Sequence, residues 1–202
     1  SLVRSTAGTH NIYVAKGNYM MNTTHDLLAG VQLNLYGGFP VPTAYTPPTD
    51  KCNYNPTENV TEINSTSTES TFRLYGNGGG LTMKYFTYNS KSGGLYNGTF
   101  ITLDGNNNND AMDSKNKTII LEEMIFPEYR SSSSGFIYAY AAEDSKFYFN
   151  DIYVGSGGWD GTGGGGGAFF TTRGYTDGAA VVPASKNIDV YVNNSSFNNI
   201  DT

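Results

Sequence analysis

Ile119-Ile120-Leu121-Glu122-Glu123-Met124-Ile125-Phe126 has two counterparts further along the chain. They are Phe147-Tyr148-Phe149-Asn150-Asp151-Ile152-Tyr153-Val154 and Val190-Tyr191-Val192-Asn193-Asn194-Ser195-Ser196-Phe197. Each runs from a short apolar strand through a polar pair to a second short strand closed by a bulky apolar residue. This order is that of a solenoid corner: one strand lines a wall, the polar pair turns outward, and the closing residue re-enters the core. The closing residues Phe126, Val154 and Phe197 lie 28 and then 43 positions apart. Unequal spacing suits a solenoid, where each coil needs only its neighbours and extra residues loop outward.

Outward from this repeat the chain is strand-like throughout. Val31-Gln32-Leu33-Asn34-Leu35-Tyr36 alternates apolar and polar with period two, the pattern of a half-buried strand. Strand-like runs follow at Phe72–Tyr75, Leu81–Tyr88, Thr99–Leu103, Phe136–Tyr140 and Ala168–Thr171. The separators are rich in Gly, Asn, Asp and Ser, and helical periodicity of useful length is absent. His25-Asp26-Leu27-Leu28-Ala29 reads as a single helical turn or a bend. The expected fold is all-β, a right-handed parallel β-helix with an N-terminal cap. An antiparallel β-sandwich is the alternative, because Asn97-Gly98 and Asp104-Gly105 fit hairpin turns.

Composition agrees with many short strands. The 202 residues include 25 Gly, 16 Tyr, 11 Phe and 22 Asn, and only 15% are charged. Gly, Asn, Ser and Thr are poor helix formers, whereas Tyr, Phe, Thr, Val and Ile favour strands. Aromatic residues at 14% carry too much apolar area for a disordered chain. One domain is expected, with a cap and first coils over 1–39, a Pro/Thr/Ser-rich insertion over 40–71 and further coils over 72–202. Pro40, Pro42, Pro47, Pro48 and Pro56 crowd the insertion and interrupt regular structure.

Several function classes drop out. The net charge is −6 and Lys and Arg do not cluster, so a nucleic-acid partner is not expected. The single Cys52 excludes an intrachain disulfide and a zinc–thiolate cluster. No run of about 18 apolar residues marks a transmembrane helix, and no signal peptide is visible. The large uncharged polar surface suits an exposed structural or contact-making module, expected to be a fragment of something longer.

Candidate sites are few. Asp104, Asp110 and Asp113 flank four Asn residues and form a candidate Ca²⁺ site, although the spacing lacks the closing Glu of a helix-loop-helix loop. The same stretch also reads as a turn, because Asn and Asp bond their own backbone. No other cofactor is expected. Gly155–Gly167 lacks the Lys-Ser/Thr ending of a phosphate loop; its Trp159 and Asp160 are a candidate recognition anchor. Tyr36 and Tyr191 alternate with core residues, so they are expected to face outward as part of an adhesive tyrosine ladder. For glycoside chemistry, Glu122 and Glu123 are adjacent, and Glu143, Asp144 and Asp151 could meet through stacked coils. Enzymatic activity is not the leading expectation: a Gly-x-Ser-x-Gly elbow is missing, and His10 and His25 lie far from these acids. Seven Asn-x-Ser/Thr sequons, at Asn22, Asn59, Asn64, Asn97, Asn116, Asn193 and Asn194, are expected by chance in such a composition.

Asn11-Ile12-Tyr13-Val14-Ala15-Lys16-Gly17-Asn18-Tyr19 followed by Val31–Phe39 resembles the opening coils of bacterial right-handed β-helix surface proteins. Gly164–Phe169 resembles the Gly-Gly-Ala-apolar signature of polymorphic outer-membrane autotransporter passengers. Phe197-Asn198-Asn199-Ile200 resembles their Phe-x-x-Asn signature, with Ile where Asn is expected. The resemblance implies an adhesin passenger at the bacterial cell surface or outer membrane, or secreted, that contacts a host cell-surface protein or glycan. It also implies a membrane anchor or barrel beyond residue 202. A carbohydrate-active β-helix enzyme and a carbohydrate-binding or purely structural module are the alternatives.

Overall fold

The computed structural model describes residues 6–41, 57–66, 70–90, 99–104, 113–131, 135–159, 168–173, 175–177, 180–182 and 184–199. The chain winds through successive coils. The first holds β1 (Gly8–Ala15), β2 (Gly17–Met21) and β3 (His25–Leu27). The second holds β4 (Val31–Phe39), β5 (Thr61–Ser65) and β6 (Phe72–Leu74). The third holds β7 (Gly80–Lys84), β8 (Thr87–Asn89) and β9 (Ile101–Asp104). The fourth holds β10 (Thr118–Glu122), β11 (Ile125–Phe126), β12 (Tyr129–Ser131) and β13 (Ile137–Tyr140). The fifth holds β14 (Glu143–Asn150), β15 (Tyr153–Val154), β16 (Gly157–Trp159) and β17 (Phe170–Arg173). A small hairpin follows, β18 (Tyr175–Asp177) against β19 (Ala180–Val182), and β20 (Lys186–Asn193) and β21 (Ser196–Phe197) open a sixth coil.

Like strands stack into three parallel sheets. The first sheet is β1-β4-β7-β10-β14-β20, the second β2-β5-β8-β11-β15-β21, and the third β3-β6-β9-β13-β17. This is a right-handed parallel β-helix, the hand that right-twisted strands give to parallel crossovers. Among the described strands only the β18–β19 hairpin pairs antiparallel, which rules out the sandwich. The three repeat segments stack residue on residue: Ile119 pairs with Phe147, and Phe147 with Val190.

The core is a set of columns along the axis. From the first sheet come Leu33, Leu81, Ile119 and Phe147, and beside them Leu35, Met83, Leu121 and Phe149. The second sheet contributes Ile63, Tyr88, Phe126 and Val154. Ahead of the third-sheet strands, Phe100 and Phe136 stack with centroids 5.3 Å apart at 19°, and Phe169 extends the column 5.6 Å beyond. Parallel stacking puts like side chains one above another, so each ring meets rings on adjacent coils. Buried hydroxyls are satisfied locally: Thr71 Oγ1 lies 2.6 Å from the Tyr88 hydroxyl and 3.1 Å from Ser65 Oγ.

Corners rely on left-handed backbone. At the entry to the first sheet on successive coils, Gly78, Asn116, Asp144 and Asn187 all have φ between 50° and 72°. Asn and Asp tolerate this region and Gly is indifferent to it. Gly79, at φ 75°, also passes against the backbone of Val31, where a Cβ would overlap the carbonyl.

The structure differs from the sequence reading in two places. Thr61–Ser65, read as part of the 40–71 insertion, is a strand of the second sheet, with Thr61, Ile63 and Ser65 buried. Residues 42–56 and Cys52 lie outside the described residues. His25–Leu27 is a strand paired with Phe72–Leu74, not a helical turn. Residues 8–39 form the first coil and the first strand of the second, within the same three sheets as the rest.

Candidate functional site

Among the described strands, those of the first sheet are the longest, and their outer face is the candidate site. Period-two alternation sends Leu33, Leu35, Phe147 and Phe149 inward and their neighbours outward. In-register stacking aligns the outward residues in rows along the axis. One row reads Asn11, Asn34, Thr82, Ile120, Tyr148, Tyr191. The next reads Tyr13, Tyr36, Lys84, Glu122, Asn150, Asn193. The third reads Thr9, Gln32, Gly80, Thr118, Lys146, Asp189.

These rows bond internally. Asn34 Nδ2 donates to Asn11 Oδ1 at 2.8 Å, and Gln32 Nε2 to Asn34 Oδ1 at 2.9 Å and to Thr82 Oγ1 at 3.3 Å. Asn193 Nδ2 donates to Asn150 Oδ1 at 2.8 Å. Tyr13 and Tyr36 stack with centroids 5.4 Å apart at 20°. Tyr148 and Tyr191 stack at 4.8 Å and 8°, with Tyr191 44% exposed. Lys84 Nζ pairs with Glu122 Oε2 at 2.5 Å, and Lys146 stands opposite Asp189 in register. The face is therefore polar and aromatic, with each lysine of these rows in register with a carboxylate.

Tyr36 and Tyr191 both lie on this face, in neighbouring rows, on the second and the last strand of the sheet. Trp159 ends β16, which runs parallel to β12 on a separate two-stranded sheet; its side chain and all of Asp160 lie outside the described residues. Gly157, from the same Gly-rich tract, passes over the Tyr129 ring so closely that a Cβ would overlap it. Of the proposed Ca²⁺ ligands, Asp104 ends β9, Asp113 pairs with Lys115 at 3.9 Å, and Asp110 lies outside the described residues. Among the described residues, no three His, Cys, Asp or Glu side chains gather for a metal ion.

The paired carboxylates are placed differently from the sequence reading. Asp144 lies at the start of β14 and Asp151 just past its end, and a strand rise of about 3.3 Å per residue puts them roughly 23 Å apart. Glu143 pairs with Lys115 at 3.7 Å and Lys186 at 3.5 Å. Stacking instead brings Asp151 beside Glu123 at the corner between the first and second sheets. Both are in left-handed backbone, φ 53° and 49°, and Asn194 Nδ2 bonds Asp151 Oδ1. Partial burial, followed by the charges of Asp151 and Glu122, raises the Glu123 pKa above the ordinary carboxylate value.

Lys117 escaped the sequence reading. It is 1% exposed, and its Nζ donates to the carbonyls of Tyr75 at 2.7 Å and Gly78 at 2.6 Å. Burial lowers its pKa to about 8. The available signal was phase: Thr118 faces out, so the residue before it faces in. The amide pair Asn150–Asn193 occupies the polar position of two repeats, where alternation alone indicates only a turn.

Comparison with protein-family models, with curated proteins and with solved structures finds no match. Topology thus defines the class, a parallel β-solenoid surface or structural module. No helix among the described residues is long and apolar enough to cross a membrane.

Proposed function

We propose that this chain is a bacterial cell-surface or secreted adhesin passenger of the autotransporter type, held by an anchor or barrel beyond residue 202. Its work is contact with a host cell-surface protein or glycan. The observation that carries this reading is the outer face of the first sheet, with the Tyr148 and Tyr191 rings stacked nearly parallel at 4.8 Å on a backbone fixed by parallel pairing. Rigid tyrosines lose little entropy when a partner settles on them, and amides beside them supply hydrogen bonds. The motif resemblance at residues 11–39 and 164–200 supports the same class. Beads coated with the protein are expected to adhere to epithelial cells, and Y148A/Y191A to lose most of that adhesion. Undiminished adhesion by the double variant would move the contact surface elsewhere.

A second reading, polysaccharide cleavage, has one observation in its favour. Glu123, with its raised pKa, stands beside Asp151, and glycosidic cleavage uses two carboxyls of unlike pKa. Release of reducing ends from plant or bacterial polysaccharides, abolished in E123Q and D151N, would establish it.

A further inference from the structure

We infer that the first sheet binds a neutral glycan chain lying parallel to the solenoid axis, across Ile120, Tyr148, Tyr191 and the Asn150–Asn193 amides. This rests on the adhesive reading and names its ligand class. The first argument is charge. Lys84 is ion-paired with Glu122 at 2.5 Å, and Lys146 has Asp189 as its in-register neighbour on the next coil. A sulfated or uronate-rich glycan needs unmatched cations, usually Arg forks, and the rows of this face contain no Arg. A cationic chain needs unopposed carboxylates, and the two in these rows, Glu122 and Asp189, each stand in register with a lysine.

The second argument is the pattern of the rows. Ile120, Tyr148 and Tyr191 form an apolar and aromatic stripe along the axis. Alongside runs an amide stripe, in which Asn193 Nδ2 donates to Asn150 Oδ1 at 2.8 Å. One bond uses one of two N–H groups and one of the acceptor sites, so each amide keeps capacity for a ligand. A pyranose has the matching duality, an apolar C–H face and hydroxyl edges. Rungs repeat about every 4.8 Å along the axis. That is close to the length of one sugar in an extended chain, so successive sugars meet successive rungs. A chain laid across the axis would cross the stripes and lose this correspondence.

The test is calorimetric titration of the whole chain with neutral oligosaccharides of increasing length, against sulfated and uronate-containing chains of matched length. Neutral chains are expected to bind, more tightly with length and without loss in high salt. Y148A/Y191A is expected to weaken binding by on the order of tenfold or more. N150A/N193A, which leaves the rings in place, is expected to weaken it less and to alter the choice among sugars. Tighter binding of the anionic chains, a steep salt dependence, or no neutral binding would overturn the inference. Cell adhesion that survives enzymatic removal of surface glycans would also overturn it, while leaving the adhesive reading intact with a protein partner. Absence of wild-type adhesion to any cell would instead defeat the adhesive reading itself.

Discussion

Glu123 illustrates what a single residue does at a solenoid corner. It is mostly exposed but partly desolvated, its φ is 49°, and Asp151 and Glu122 crowd it with like charge. A non-Gly residue in left-handed backbone costs about 1–2 kcal/mol, less for Asn, which occupies the same corner as Asn194 on the sixth coil. Glu123→Asn is therefore expected to stabilise the protein by about 1 kcal/mol, read as a rise in urea midpoint with unchanged slope. Lys117 makes the opposite kind of demand. Its folded pKa of about 8 lies below the ordinary lysine value of 10.5, so between these pH values the unfolded chain binds a proton that the folded chain does not. Stability contributed by Lys117 is thus fully present above pH 10.5 and is lost as pH falls to about 8. Buried Tyr88 and Tyr129, pushed up to about 12, act the other way and weaken the fold above pH 10. The melting temperature is expected to rise from pH 8 toward 10 and then fall, and K117M to abolish the rise while keeping the fall. A rise that persists in K117M would assign it to another group.

At the scale of elements, the strand least visible in the sequence is β5. Thr61-Glu62-Ile63-Asn64-Ser65 contains one aliphatic residue, and it follows a proline-rich stretch. It is a core strand because two inward positions carry hydroxyls with partners waiting inside. Thr61 Oγ1 accepts the Gly38 amide at 2.9 Å and donates to the Ala15 carbonyl at 3.3 Å; Ser65 meets Thr71. Apolar periodicity cannot report a strand whose inward face is polar and satisfied. Thr61→Val keeps the shape and strands the buried Gly38 amide, at an expected cost of about 1–3 kcal/mol in denaturant unfolding. A neutral result would mean that another group or water serves that amide. The corners were partly legible. Gly78, Asn116 and Asn187 are residues that favour left-handed backbone, whereas Tyr85 at φ 69° and Glu123 carry no such signal.

For the whole molecule, the parallel solenoid and the pairing of the last three first-sheet strands were readable in advance. The repeats at Ile119, Phe147 and Val190 are similar, and their offsets of 28 and 43 residues equal the pairing offsets. Earlier rungs were hidden by length, since Gln32 pairs with Gly80 across 48 residues that include the proline-rich segment. The outward direction of Tyr36 and Tyr191 followed from alternation alone. The stack of Tyr148 on Tyr191, the matched charges and the meeting of Glu123 with Asp151 did not, because they depend on register between coils. A slip of one residue would turn each row to the other side of the sheet. Register is therefore the claim on which the proposed face depends, and oxidative cross-linking tests it directly. In a Cys52→Ser background, N150C/N193C places two thiols on paired residues, with Cα atoms about 4.8 Å apart. That lies inside the window of about 4.4–6.8 Å for a disulfide. N150C/D189C puts them on the same face but four residues out of step, roughly 13 Å along the strand. The account predicts ready disulfide formation in the first variant and none in the second under mild oxidation. Cross-linking in the second, with none in the first, would contradict it.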